Sequence, residues 1–460
     1  MKLKDKLARL GSAGPGARPI NSPGKEPSLL SPIPDGAATS HRRRARVERL
    51  RSLMGGVIAR QESQANRLNP GGLREPVPLG ELPGETRETP HGPLHLVDQW
   101  LEPAHCHGTV PVRGALTVDP SVVARLALDP AFEAVDPRGW LFLDTETTGL
   151  SGGTGTLPFL VGMAWFEDQS LRLQQLFLPR PGAEAPMLHA LADALRKATA
   201  IVSYNGKSFD WPLLRTRFVM NRVPCPTIPP HLDLLHAARR VYKGRLERVR
   251  LVHVEEQVLG MTREDDVDGS EIPGIYMKYL GGDLDPRMPG VIEHNANDLI
   301  ALAAILAKVA EGYEGRRVAD DPRDCLGYAR VAERAGDAAR AREFAEAAAR
   351  GGGSRRTTIE ASLLAARVAR RAGDVEGEGA MLALGLGAAG EQADLLAAEV
   401  RLALAKHHEH RTKDFGCASE HAACTVPAET ESERDKRVAR VEARRDRCPP
   451  EGASGTATSR

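Results

Sequence analysis

Aromatic residues are the scarcest feature of this 460-residue chain, which carries 4 Trp, 6 Tyr and 9 Phe. None precedes Trp100, and 14 of the 19 fall between Phe132 and Tyr279. Large rings supply much of a core's buried area, so the best-defined core is expected in that middle stretch. Long apolar runs are missing as well. The longest uncharged ones, Leu299–Ala307 and Ala380–Gly390, are too short to cross a bilayer, so no membrane association is expected. The first residues, MKLKDKLARLGSAGPG, carry charge but no apolar h-region, so no secretory leader is expected. Six cysteines without paired spacing do not make a disulfide framework. These absences point to a soluble, cytoplasmic protein with reduced thiols. Nor does either sign of charge dominate: 62 Lys+Arg face 61 Asp+Glu. The balance is uneven, however. Residues 1–60 hold 13 basic and 4 acidic side chains, a net of +9, and the other 400 carry a net of −8.

The length suggests roughly two to four domains. Residues 1–90 read as a largely disordered basic arm and linker, rich in Gly, Pro and Ser over residues 11–40 and cationic over His41–Gln61. From residue 91 to 313 the pattern is α/β. Short apolar strands at Trp140–Leu143, Leu160–Phe166, Leu171–Phe177 and Ala200–Tyr204 alternate with helical spacing at Glu184–Ala198, Trp211–Asn221, His231–Tyr242 and Val291–Ala310. Strands first, then alternation, indicate a mixed sheet flanked by helices. Beyond Asp320 the chain turns Ala- and Arg-rich. Arg330-Val-Ala-Glu-Arg-Ala-Gly-Asp337 recurs as Arg367-Val-Ala-Arg-Arg-Ala-Gly-Asp374, offset by 37, with a looser third copy from Ala405 through Asp414-Phe415. A period of this size predicts an all-α region of tetratricopeptide-like helical hairpins over residues 320–428, although the usual aromatic positions are lacking. A charged, disordered tail is expected over residues 429–460.

The chemistry concentrates in acids. In Trp140-Leu-Phe-Leu-Asp-Thr-Glu-Thr-Thr-Gly149 an apolar strand runs into Asp144 and Glu146, whose side chains share one face. Carboxylates at the end of a buried strand are costly unless neutralised, and a hard divalent cation does this. Alone, such a pair is more often a turn cap and a solvated acid. A second cluster, Val202-Ser-Tyr-Asn-Gly-Lys-Ser-Phe-Asp210, places an acid at a helix start. A third, His294-Asn-Ala-Asn-Asp298, sets an imidazole and a carboxylate four apart on one helical face, suited to a base beside a metal ligand.

Together and in this order the three blocks resemble the DEDD (DnaQ-like) 3′→5′ exonucleases of the ribonuclease H-like superfamily. The longer strings Asp144-Thr-Glu-Thr-Thr-Gly-Leu-Ser-Gly-Gly-Thr-Gly-Thr156, Asn205-Gly-Lys-Ser-Phe-Asp-Trp-Pro-Leu-Leu214 and Asp266-Val-Asp-Gly-Ser-Glu-Ile-Pro-Gly-Ile-Tyr276 resemble the YprB-type branch. The resemblance covers roughly residues 90–312, with helical repeats downstream as in that branch. It implies a ribonuclease H-like mixed sheet, a nucleic-acid substrate, and two divalent cations, Mg²⁺ or Mn²⁺, held by Asp144, Glu146, Asp210 and Asp298 in a two-metal hydrolysis. It also implies a general base. In that family the base is Tyr four residues before the last Asp or His five before it; here His294 stands at the four-residue spacing. Thr147, Gly149, Asn205 and Phe209 are candidate contacts to a substrate end. Arg239 and Arg240 open a cationic run through Arg250 that could track phosphates or form a solvated helix face. Asp233 is a secondary candidate, as a supporting acid or a helix N-terminal charge.

Three other signals fail. Gly206-Lys207-Ser208 lacks the glycine a phosphate-binding loop needs, since Ile201 stands there. Pro158 breaks the dinucleotide fingerprint begun by Gly153-Thr-Gly155. The histidines and cysteines between His407 and Cys424 match no ordinary zinc spacing. Internal cleavage by a ribonuclease H-like nuclease, or a non-catalytic nucleic-acid-binding adaptor role in which the repeats bind a protein partner, are the alternative readings.

Overall fold

Strand alternation sets the architecture. In a computed structural model, which describes residues 79–149, 155–315 and 321–447, seven strands form one mixed sheet. They are β1 (Glu85–Thr89), β2 (Gly92–Leu101), β5 (Trp140–Thr147), β6 (Pro158–Glu167), β7 (Ser170–Phe177), β8 (Ala200–Ser203) and β9 (His231–Asp233). Their order is β1-β2-β7-β6-β5-β8-β9, with β5, β8 and β9 parallel and the rest antiparallel. A two-residue ribbon, β3 (Cys106–His107) with β4 (Val110–Pro111), lies apart from it. Residues 1–78, with the cationic run His41–Gln61, residues 150–154, residues 316–320 and residues 448–460 lie outside the described residues.

Both faces of the sheet are buried, as the apolar strand runs require. Trp140 and Phe142 of β5 face one core, with Ala164, Leu173 and Val202. Leu141 and Leu143 face the other, with Val161, Met163, Leu176 and Ile201. The second face is covered by α2 (Ala185–Lys197), α3 (Asp210–Met220) and α6 (Ile272–Leu280). The first is covered by α1 (Pro120–Ala127), α4 (Leu234–Tyr242) and the apolar body of α7 (Met288–Glu314), with the short α5 (Leu251–Val254) beside it. The chain thus has the expected α/β fold, a mixed sheet with helices on both sides.

Three boundaries differ from expectation. The sheet begins at Glu85, inside the segment read as linker, because β1 pairs with β2 through a tight Pro90–His91 turn. The single helix expected over His231–Tyr242 is a strand and then a helix. His231–Asp233 pairs with β8, and the Asp233 carboxylate accepts from Leu235 N to start α4. The tail from residue 429 is not featureless. Glu431–Arg447 is a helix (α14) that buries Val441, and Arg440 and Arg444 donate to the fully buried Glu409. Its abundant charge hid a structural use, neutralising one interior acid.

Among the described residues after Asp320 the ordered elements are all helices. They comprise α8 (Pro322–Arg334), α9 (Ala338–Arg350), α10 (Arg355–Arg371), α11 (Val375–Ala389), α12 (Leu395–His407) and α13 (Phe415–Ala422) before α14. The repeated Ala-Gly-Asp is a helix corner. Gly336 and Gly373 take the left-handed conformation (φ 79° and 78°) that ends one helix. Asp337 and Asp374 then cap the next through Arg340 N and Gly377 N. Lys413 (φ 61°) and Asp414 repeat the corner in the third copy. This region is docked on the sheet domain through α4. A Cβ on Gly327 would sit 2.2 Å from the Val241 carbonyl oxygen, and Arg245 reaches Asp324 at 2.9 Å.

Candidate active site

The strand period decides where the first two acids point. Asp144 and Glu146 continue the Trp140/Phe142 face of β5, toward α7, while Thr145 points the other way. Helix α7 runs close to that face because Gly162 on β6 has no side chain: a Cβ there would sit 2.2 Å from Asn295 Oδ1. Asn295 fills the space. Its Nδ2 donates to Asp144 Oδ2 at 2.7 Å, and its Oδ1 accepts from Gln175 Nε2 at 2.9 Å. Asp210 enters from the start of α3, where Thr145 Oγ1 donates a short hydrogen bond to its Oδ1. The turn before it is tight. Asn205 is left-handed (φ 67°), and a Cβ on Gly206 would sit 2.4 Å from Ser203 Oγ. Asp233 holds that turn by accepting from Asn205 N at 2.7 Å.

All four acids are held above the usual carboxylate range. For Asp144 the cause is first burial, then the charges of Asp298, Asp210 and Glu146. Burial raises Glu146 to about 7, against the opposing pull of His294. It also raises Asp210 to about 6, although the Thr145 bond pulls the other way. Burial raises Asp298 too, partly offset by Arg263. Among the described residues no Lys or Arg forms an ion pair with Asp144, Glu146 or Asp210. Asp144 and Asp210 therefore have no cationic side chain beside them and Glu146 has only His294, so a hard divalent cation would supply the missing charge.

The third block carries more than its two expected residues. His294 Nδ1 lies 2.8 Å from Asp266 Oδ1, and its Nε2 lies 4.0 Å from Glu146 Oε1 and 3.9 Å from Asp298 Oδ2. One donor atom from each of Glu146, His294 and Asp298 falls within 4.8 Å of the others. Burial opposes protonation of His294, but the carboxylates of Asp298, Glu146 and Asp266 outweigh it and raise its pKa. Behind them lies Arg263, its side chain only 3% exposed. It donates to Asp298 at 2.5 Å, to Asp266 at 3.2 Å and to the fully buried Glu255 at 2.8 Å. Glu255 in turn meets His107 Nε2 at 2.7 Å. The sequence reading assigned no role to Arg263, Glu255, His107 or Asn295. Only Asn295 had a signal, its place between His294 and Asp298; the others come from the β3 strand, a helical turn after α5 and a loop, with no distinctive spacing.

The candidate substrate contacts divide. Phe209 is 54% exposed directly before Asp210, so it is not core. Thr147 folds onto the Gly149 carbonyl oxygen at 3.0 Å. Asn205 shapes the turn described above through its backbone N–H. Arg239 is exposed on α4. Arg240 is not a free cation, since its guanidinium donates to the Leu126 carbonyl at the end of α1 at 2.8 Å. Arg245 is likewise taken by Asp324 and the Gln257 carbonyl. The cationic run is therefore partly a docking surface, because a helix between two layers spends its inward cations on neighbours. Asp233 caps the start of α4 and also holds the turn that leads to Asp210, so neither of the two roles open to it is excluded.

A seven-stranded mixed sheet with acids on a central strand, on the helix after its parallel neighbour and on the closing helix is a ribonuclease H-like arrangement. Residues 141–310 match the RNase H superfamily, and this segment holds all four acids, so it is a domain of that superfamily. Over 166 residues the chain is 38% identical to the Bacillus subtilis (strain 168) protein described as "Uncharacterized protein YprB". That alignment takes in 36% of this chain and spans 40% of the relative's length. The helical region lies outside the matched segment.

Proposed function

We propose that the domain is a divalent-metal-dependent nuclease that hydrolyses phosphodiester bonds, acting as a 3′→5′ exonuclease. The convergence of Asp144, Glu146, Asp210 and Asp298, two of them without any cationic side chain beside them, carries this reading. Mg²⁺ or Mn²⁺ bound by these acids would supply the charge that activates water and stabilises a leaving oxygen. The protein's own part is orientation. Asn295 holds Asp144, Thr145 holds Asp210 and Arg263 holds Asp298, so the carboxylates are aimed before a cation arrives. The exposed Phe209 ring offers a stacking surface for a terminal base, and Arg239 a phosphate contact. Thr147, Gly149 and Asn205 are the further contacts this reading assigns to the substrate end. The tetratricopeptide-like region, fixed to the domain through α4, serves as a platform for a protein partner or for guiding substrate. Among the described residues no helix is long and apolar enough to cross a membrane.

The test uses end-labelled single- and double-stranded DNA and RNA with Mn²⁺ or Mg²⁺, comparing wild type with Asp144→Asn. Stepwise shortening from the 3′ end, lost in the variant, is expected. Discrete internal fragments would replace the exonuclease reading with internal cleavage. No metal-dependent cleavage of any substrate would refute the nuclease reading and leave the adaptor role.

A further inference from the structure

Family resemblance casts the histidine of the third block as a proton acceptor, yet His294 is placed differently. It sits four residues before Asp298 on α7, so its ring lies over the same turn face as that carboxylate. Its Nε2 makes no hydrogen bond among the described residues. Instead it stands 4.0 Å from Glu146 Oε1 and 3.9 Å from Asp298 Oδ2. Those separations are too long for hydrogen bonds. They fall toward the wide end of the range open to ligands of a common ion, since two donors each about 2.1 Å from an ion stand between about 3.0 Å apart at a right angle and about 4.2 Å apart when opposed.

We propose that His294 Nε2 is a direct ligand, with Glu146 and Asp298, of one divalent cation, and that this site prefers a first-row transition metal to Mg²⁺, with Mn²⁺ as its paramagnetic probe. The inference rests on the metal-dependent reading above. Its second support is Asp266, whose carboxylate lies 2.8 Å from Nδ1. A metal-ligating imidazole is ordinarily held this way, its remote N–H donating to a carboxylate that fixes the tautomer and raises the basicity of the ligating nitrogen. Arg263 completes the mounting by donating to both Asp266 and Asp298, which leaves Asp298 Oδ2 facing the histidine. The ion's preference follows from the donor set. An all-oxygen cluster suits Mg²⁺, whereas an imidazole nitrogen favours later divalent metals.

The experiment is electron spin-echo envelope modulation on the full chain loaded with substoichiometric Mn²⁺, without nucleic acid. Wild type should show ¹⁴N modulation that changes to the ¹⁵N pattern when the protein is made with ¹⁵N-histidine. His294→Gln should lose it while Asp266→Glu keeps it, and Mn²⁺ affinity should fall about tenfold or more in His294→Ala. Mn²⁺ bound to wild type without nitrogen modulation, or modulation that survives in His294→Gln, would overturn the ligand assignment and leave the nuclease reading standing. Failure of wild type to bind Mn²⁺ more tightly than Glu146→Gln, which removes an acid common to both readings, would overturn both. If the His294 variants do not fold, the isotope change in wild type still decides whether a histidine ligates.

Discussion

A cluster built to receive cations should be unstable without them, and Glu146 lets the size of that effect be worked out. Burial lifts its pKa from the usual 4.5 to about 7 in the folded protein. The folded state therefore holds this proton more tightly than the unfolded chain. Stability from this group is complete below about pH 4.5 and is lost as the pH rises through 7. At about 1.4 kcal/mol per tenfold, the displacement is worth on the order of 3 kcal/mol. Glu146→Gln keeps the shape of the protonated side chain and cannot ionise. In chelator, the variant should match wild type near pH 4.5 and exceed it at pH 8, by roughly 5–10 °C in melting temperature for a domain of this size. Mn²⁺ should reverse the order, since wild type gains binding energy that the variant has lost. Differential scanning calorimetry at both pH values, with chelator or Mn²⁺, measures all four combinations. A variant equal to or less stable than wild type at pH 8 in chelator would refute the argument that desolvation dominates this carboxylate.

Replacing Arg263 with Met leaves Glu255 and Asp298 without their buried partner, so chemical denaturation should show a loss of about 3–5 kcal/mol; a loss under about 1 kcal/mol would mean the network is solvated. Phe209→Ala removes an exposed ring, so stability should stay within about 0.5 kcal/mol. Single-strand affinity, read by fluorescence anisotropy, should fall by about 1–3 kcal/mol if the ring stacks on a base. Gly327→Ala forces a methyl against the Val241 carbonyl where α8 meets α4 and should cost about 1–3 kcal/mol. Limited proteolysis should then cut between the sheet domain and the helical region faster than in wild type; an unchanged digest would show that the contact is not required.

Much of the domain could be read along the chain because its signals are local. The run Trp140–Leu143 ending in Asp144 and Glu146 is one strand, and period-two alternation alone places both acids on one face. The i, i+4 pair on α7 obeys helical period in the same way, and the Ala-Gly-Asp corners follow from a left-handed glycine and an Asp cap. The scarcity of aromatics also carried information: Trp140, Phe142, Phe159, Phe177, Phe218 and Tyr276 are all fully buried in the sheet domain. What could not be read were boundaries and partners. Nothing local separates a cation that meets solvent from one that meets a carbonyl, so Arg239 and Arg240 look alike in sequence and differ in the fold.

The sequence by itself placed Asp144 with Glu146 on one strand face and His294 with Asp298 on one helix face, because strand and helix periods orient side chains without reference to the rest of the protein. That these acids could serve a metal is what the family resemblance implies. Only the tertiary structure decided how they are held. Arg263 and Asp266 come from a loop 35 and 28 residues from Asp298 and His294, respectively, and His107 is brought to Glu255 across 148 residues. Buried charge must be paired wherever the chain brings a partner within reach, and that partner is set by packing between distant segments.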